Sequence, residues 1–90
     1  EEHDPDIVRR PDGSLLVSGR AHIGQLNAYL QTELIVEDPG LYTTVAGYFL
    51  SRLKCIPKTG TPLTDQRFQG EIMDMDSHRI DKVLITQLLG

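Results

Sequence analysis

Turn-forming residues cut this chain into short lengths, and that punctuation limits it to short strands and short helices. Pro11–Asp12–Gly13, Pro39–Gly40, and a stretch holding Pro57, Gly60 and Pro62 divide the sequence. Pro presets φ, Gly accepts positive φ and Asp hydrogen-bonds nearby backbone, so each group reads as a turn or connection. A chain of 90 residues allows one small domain with one modest core. Uninterrupted apolar runs reach only three or four residues, as at 48–50 and 83–85. A membrane-spanning helix needs roughly 20, so none is predicted.

Periodicity assigns the segments between the turns. Ile7 and Val8 precede the first turn, and Leu15, Leu16 and Val17 follow it, which predicts a β-hairpin ending at Gly19. Ile23, Leu26 and Leu30 recur at helical spacing, with Leu34 one turn further, and predict a short amphipathic helix. Gly24 weakens its first turn by about 1 kcal/mol relative to Ala. A second helix is predicted within residues 43–54, with Thr43 as N-cap and Val45, Phe49, Leu53 and Ile56 as its apolar stripe. Ala46 and Leu50 widen that stripe, Arg52 and Lys54 suit the negative end of the helix, and Pro57 stops it. Residues 56–63 then read as a turn-rich connection. The last third predicts two strands, residues 66–76 and 78–89, with Asp76 and Ser77 at their turn. Phe68, Gly70 and Ile72 share one side if no bulge intervenes; Val83 and Ile85 face oppositely to Lys82, Leu84 and Thr86. The order ββααββ predicts an α+β, two-layer domain: four mainly antiparallel strands with both helices on one face.

Charge and reactive side chains exclude several functions. Thirteen acidic against nine basic residues give a net charge of −4, without the clustered Lys and Arg that a nucleic-acid binder needs. Cys55 is the one cysteine and cannot form an intramolecular disulfide; beside Ile56 and Pro57 it reads as a small apolar filler at a helix end. Such sparse cysteine usage points to a reducing, cytoplasmic compartment. His3, His22 and His78 fall in three separate elements, and no P-loop, nucleophile elbow or dinucleotide fingerprint is present. No catalytic set and no metal-ligand set emerges, so the expected class is not an enzyme. The acidic start, residues 1–6, reads as the end of a linker rather than a signal peptide, and the domain as residues 7–90. Together with the absent initiating Met, it suggests a piece of a longer protein. Asp74 and Asp76 would share a strand face near Asp81, a weak candidate contact for Mg²⁺ or Ca²⁺. Pairing with Arg79 or Lys82 is the simpler reading. Arg79 could hold a carboxylate or phosphate through two prongs, or secure its strand. Leu84, Leu88 and Leu89 place apolar groups off the core face and suggest a partner surface, with another copy or another domain.

Four stretches taken together resemble the CorC/HlyC transporter-associated domain family. They are DGSLLVSG at residues 12–19, LNAYL at 26–30, TTVAGYFLSRLKCIPKTG at 43–60 and MDSHRIDKVLI at 75–85. The resemblance spans residues 7–86. Leu15 stands where an aromatic is frequent, Gly70 where an apolar residue is usual, Ser77 where Gly or Asn is commoner and Leu84 where a polar or basic residue is usual. The resemblance implies a fold like the small FAD-binding superfamily and a non-catalytic regulatory domain of a magnesium–cobalt efflux or hemolysin-like protein. It also implies partners: CBS modules, a membrane domain of the parent chain, or a second copy. The implied location is cytoplasmic, in a parent that is itself cytoplasmic or associated with the inner or plasma membrane, without membrane insertion by this piece. No cofactor is expected from the residues. The alternative is a sensor for a nucleotide, FAD or a divalent cation, which rests on superfamily analogy and the paired Asp residues.

Overall fold

In the computed structural model, which describes residues 5–88, the Pro-Asp-Gly turn forms as its chemistry dictates. Gly13 takes φ 92, and its N–H donates to the Arg10 carbonyl at 2.9 Å. Asp12 Oδ1 accepts from the backbone N–H and the hydroxyl of Ser14 at 2.9 and 2.6 Å. These hydrogen bonds, hydroxyl first, hold the Asp12 carboxyl below the usual carboxylate range. The turn joins β1 (Ile7–Arg9) to β2 (Leu15–Ser18) as an antiparallel pair.

Two short helices follow. Helix α1 (Ile23–Leu30) buries Ile23 and Leu26 and stops at Gln31, which is left-handed at φ 58. Leu34 therefore lies beyond the helix, although it is buried. Helix α2 (Val45–Leu53) is capped by Thr44, whose side chain accepts the Gly47 N–H. Thr43, the expected cap, instead uses its carbonyl to accept the Ile23 N–H at 3.0 Å. The helix ends at Lys54, left-handed at φ 61, within the predicted segment but short of Pro57. That early stop turns Ile56 out, 57% exposed, so it does not extend the apolar stripe. Cys55 is also exposed, so the filler reading fails for the same reason.

The sheet has five strands, one more than predicted, in the order β1-β2-β5-β4-β3. Every pairing is antiparallel. The additional strand, β3 (Pro62–Thr64), comes from the expected connection and pairs Leu63 with Gly70 of β4 (Phe68–Asp76). Pro62 is tolerated because it opens an edge strand. β4 pairs with β5 (Arg79–Gln87) around Ser77 and His78, with Ser77 at φ 60. Register shifts near Asp74 and Met75 bulge this hairpin. The bulge explains why Ile80 and Val83, three residues apart, are both buried; regular alternation would send them to opposite faces.

The core lies between one sheet face and both helices. Leu15, Val17, Leu63, Phe68, Ile72, Val83 and Ile85 meet Ile23, Leu26, Val45, Tyr48 and Phe49 in one cluster. Two glycines set the closeness of this packing. A Cβ on Gly70 would fall 2.8 Å from Phe49 Cζ, and one on Gly19 would fall 2.2 Å from the Ile80 carbonyl oxygen. Gly70→Ala is expected to cost roughly 1–3 kcal/mol by overpacking, part of it recovered in a Phe49→Leu background. Gly19→Ala meets backbone that cannot step aside and is expected to cost roughly 3 kcal/mol or more. Denaturant unfolding of the three variants checks both expectations, and equal costs at the two glycines would contradict them.

Candidate functional site

The β4–β5 hairpin end gathers part of the expected site. Asp76, Arg79 and Asp81 line a hollow of about 350 Å³ together with Ser18, Gly19, Arg20, Thr44, Ala46 and Ile80. Asp74 does not line it; it stands exposed, opposite Lys82 in register. Among the described residues no three His, Cys, Asp or Glu side chains converge as a metal-binding group. The start of α2 borders the hollow, but its donors are already used. Val45 N–H donates to the Ala21 carbonyl and Ala46 N–H to the Gly19 carbonyl, both at 2.9 Å. Gly47 N–H donates to Thr44 Oγ1 at 3.1 Å. The helix N-terminus thus holds backbone and side-chain oxygens of its own chain where an anion would otherwise sit. Arg20 turns to Asp6 across 3.6 Å. His3 and Leu89 lie outside the described residues.

The sheet face away from the helices carries a second feature. Leu15 and Val17 point into the core, so Leu16 between them points out, and Leu84 opposite Leu16 does the same. Val8 pairs with Leu16 and Glu71 with Leu84, so one row crosses the sheet as Val8–Leu16–Leu84–Glu71–Pro62. Val8 is 39% exposed, and Leu16 and Leu84 are half-buried. A shallow hollow of about 240 Å³ lies beside the row, lined by Pro5, Val8, Leu16, Ser18 and Lys82. Leu88 is exposed near the end of β5 and outside this row.

A third cluster was missed by sequence reasoning. Tyr48 on α2 donates its hydroxyl hydrogen to Asp65 Oδ1 at 2.9 Å. Arg52 reaches the Tyr48 hydroxyl and Asp65 Oδ1 at 2.6 and 2.8 Å, and its guanidinium lies over the Tyr48 ring. Asp65 Oδ2 accepts the Arg67 N–H at 3.0 Å. Burial alone would raise the Asp65 pKa, but donors from Arg67, Arg52 and Tyr48 outweigh it and hold the carboxyl below the usual range. Burial, then the bond to Asp65, pushes the Tyr48 hydroxyl up, so it stays protonated. The sequence pattern assigns Arg52 only to the negative end of the helix dipole. The one local signal was Asp65 itself, a turn-forming residue two positions before Arg67. The arrangement ties α2 to the β3–β4 turn and contains no exposed nucleophile.

The family model described as the transporter associated domain, CorC_HlyC, matches residues 8–88. A UPF0053 protein of Synechocystis is 36% identical over 89 residues, covering 98% of this chain and 20% of that protein. The polyamine export protein of Salmonella typhimurium is 31% identical over 85 residues, covering 94% of this chain and 19% of that protein. The chain therefore spans about one fifth of the length of these curated relatives. The solved CorC_HlyC domain from a Xylella fastidiosa hemolysin superposes with a TM-score of 0.81 at 33% identity, covering 97% of this chain and all of that one. A second structure of that domain, in complex with Mg²⁺ and Mn²⁺, matches at TM-score 0.78 and 34% identity, covering 94% of this chain and 100% of that one.

The Asp65 cluster has a pH signature. A carboxyl depressed in the folded state contributes stability that is present above its unfolded pKa of about 4 and is lost as pH falls through the folded value. Asp65→Asn is expected to cost roughly 1–3 kcal/mol at neutral pH and to lessen the loss of stability below pH about 4. Chemical denaturation across pH 2–7 checks this; parallel acid profiles for the parent and Asp65→Asn would contradict it.

Proposed function

The chain belongs to the CorC/HlyC transporter-associated domain family, and from that membership we propose that it is a non-catalytic regulatory module of a larger transport protein. It acts by docking the open face of its sheet against another part of that protein. The row Val8–Leu16–Leu84 carries this reading, because it places apolar side chains in register on the face that neither helix covers. Among the described residues no helix is long and apolar enough to cross a membrane; the reading assigns transport itself to the rest of the longer protein. On this reading the domain stands on the cytoplasmic side, its partners are CBS modules and a membrane domain, and the cargo is a cation. Divalent metals such as Mg²⁺ and Co²⁺ are one cargo class; polyamines, named for the Salmonella relative, are the other.

Regulation of this kind requires the docked contact to differ in free energy between the active and resting states. Leu84→Lys places a charge in the middle of this row. In the full-length protein it is expected to change cation efflux at least fivefold, while the thermal midpoint of the isolated domain moves by only a few degrees. Efflux of either cargo class at the unaltered rate, with the protein present at normal level, would contradict docking through this face.

A second reading, cation sensing, is favoured by the Xylella domain solved with Mg²⁺ and Mn²⁺. Asp76 and Asp81, which line one hollow, are the side chains it would use. On that reading Mg²⁺ at a hundred times its dissociation constant adds about 2.7 kcal/mol of stability, and Asp81→Asn removes the gain. A thermal-shift titration with Mg²⁺, Co²⁺, ATP and FAD checks it. No response to the metals would end the cation reading, and a response confined to ATP or FAD would replace it with a nucleotide or flavin sensor.

A further inference from the structure

The connection between the helices, residues 31–44, is built more firmly than a plain linker. Asn27 clamps it from α1: its side chain donates to the Ile35 carbonyl at 2.9 Å and accepts the Leu34 and Ile35 N–H groups at 2.9 and 3.3 Å. Leu34 and Ile35 are buried beneath it at 5% and 2% exposure. Tyr42 donates its hydroxyl hydrogen to the Val36 carbonyl at 3.2 Å, and Arg67 donates to the Glu33 carbonyl. Yet this fixed segment turns Val36 and Leu41 to solvent, 56% and 69% exposed. A loop ordered by so many contacts has little conformational entropy left to lose when it binds.

Beside it lies a hollow of about 210 Å³ lined by Leu34, Ile35, Val36, Tyr42, Tyr48 and the 65–67 turn. That is smaller than the roughly 300–1,000 Å³ of small-molecule sites and suits one side chain of a larger partner. Acidic side chains outnumber basic ones around it, with Arg67 on its rim. Glu33, Glu37 and Asp38 are exposed, and their carboxylates join no hydrogen bond or ion pair with the described residues. Of the cations nearby, Arg52 is ion-paired with Asp65, while Arg67 donates to the Glu33 carbonyl and keeps its charge, which leaves carboxylates in excess.

The geometry points to a docking site here for a basic protein segment that seats one apolar side chain in the hollow between Val36, Tyr42 and Tyr48. Its Lys or Arg residues meet Glu33, Glu37 and Asp38. The complementary charge selects this occupant. An anionic membrane surface is repelled by the same acids, and a two-fold pairing of this patch with its own copy would set like charges against each other. The inference goes beyond the docking of the sheet face and does not rest on it, since it uses a different surface.

The test is an NMR titration of the isotope-labelled chain with two blocked pentapeptides, Lys-Leu-Lys-Phe-Lys and its charge reversal Glu-Leu-Glu-Phe-Glu. The basic peptide is expected to shift the amides of residues 35–37, 41–42 and 66–67, at least tenfold more tightly than the acidic one and less so as salt rises. A variant carrying Val36→Ser and Leu41→Ser should lose at least fivefold in affinity at an unchanged thermal midpoint. Equal response to both peptides, shifts confined to another surface, or no shift at millimolar peptide would overturn the proposal. So would concentration-dependent self-association through these residues, or preferred binding to phosphatidylserine vesicles.

Discussion

The architecture depends on one backbone crossing. At Gly19 the chain leaves β2 and passes between β5 and the start of α2. Its N–H donates to the Asp81 carbonyl and its carbonyl accepts the Ala46 N–H, both at 2.9 Å. No side chain fits there, because the Ile80 carbonyl occupies the place of a Cβ. Sheet and helix are therefore joined through main chain at this point. The crossing holds α2 on one face of the sheet, where Val45 and Phe49 close the core with the inner-face strand residues. What remains outside is a sheet face free of helices.

That asymmetry is where the functional argument arises. A two-layer α+β domain with one uncovered sheet face usually presents polar groups there. Here Val8, Leu16 and Leu84 fall on one line across three adjacent strands, bordered by Glu71 and Lys82. The hairpin-end hollow is chemically different: two carboxylates stand near two guanidiniums, with the helix donors consumed by the crossing itself. It has the makings of a polar rim, whereas the row has those of an apolar contact. The third cluster, around Tyr48, Arg52 and Asp65, is structural in character and keeps α2 fixed to the turn that precedes β4.

Much of this was legible in the sequence where one local signal dominated. Pro11–Asp12–Gly13 announced its hairpin, and the i, i+3, i+4 spacing of Ile23, Leu26, Val45 and Phe49 announced both helices and their buried sides. Alternation placed Phe68, Gly70 and Ile72 on the core face and Leu84 opposite. The failures share a physical cause, since they depend on contacts distant in the chain. β3 is three residues with a leading Pro and exists only because β4 pairs with it. Lys54 ends α2 in a left-handed conformation that Gly usually supplies, so nothing local marked the stop that exposes Cys55 and Ile56. Asp65 meets Tyr48 and Arg52 across the β3 connection, which no periodicity reveals. Of the candidate site residues, Asp76, Arg79 and Asp81 line one hollow, which Asp74 does not.

On the proposed reading, the uncovered sheet face is a contact surface inside a larger protein. Hydroxyl-radical footprinting of side chains, comparing the isolated domain with the full-length protein, reads it most directly. The account predicts that Val8, Leu16 and Leu84 lose reactivity in the full-length protein while Ile56 keeps it. Unchanged reactivity along that row would contradict the account.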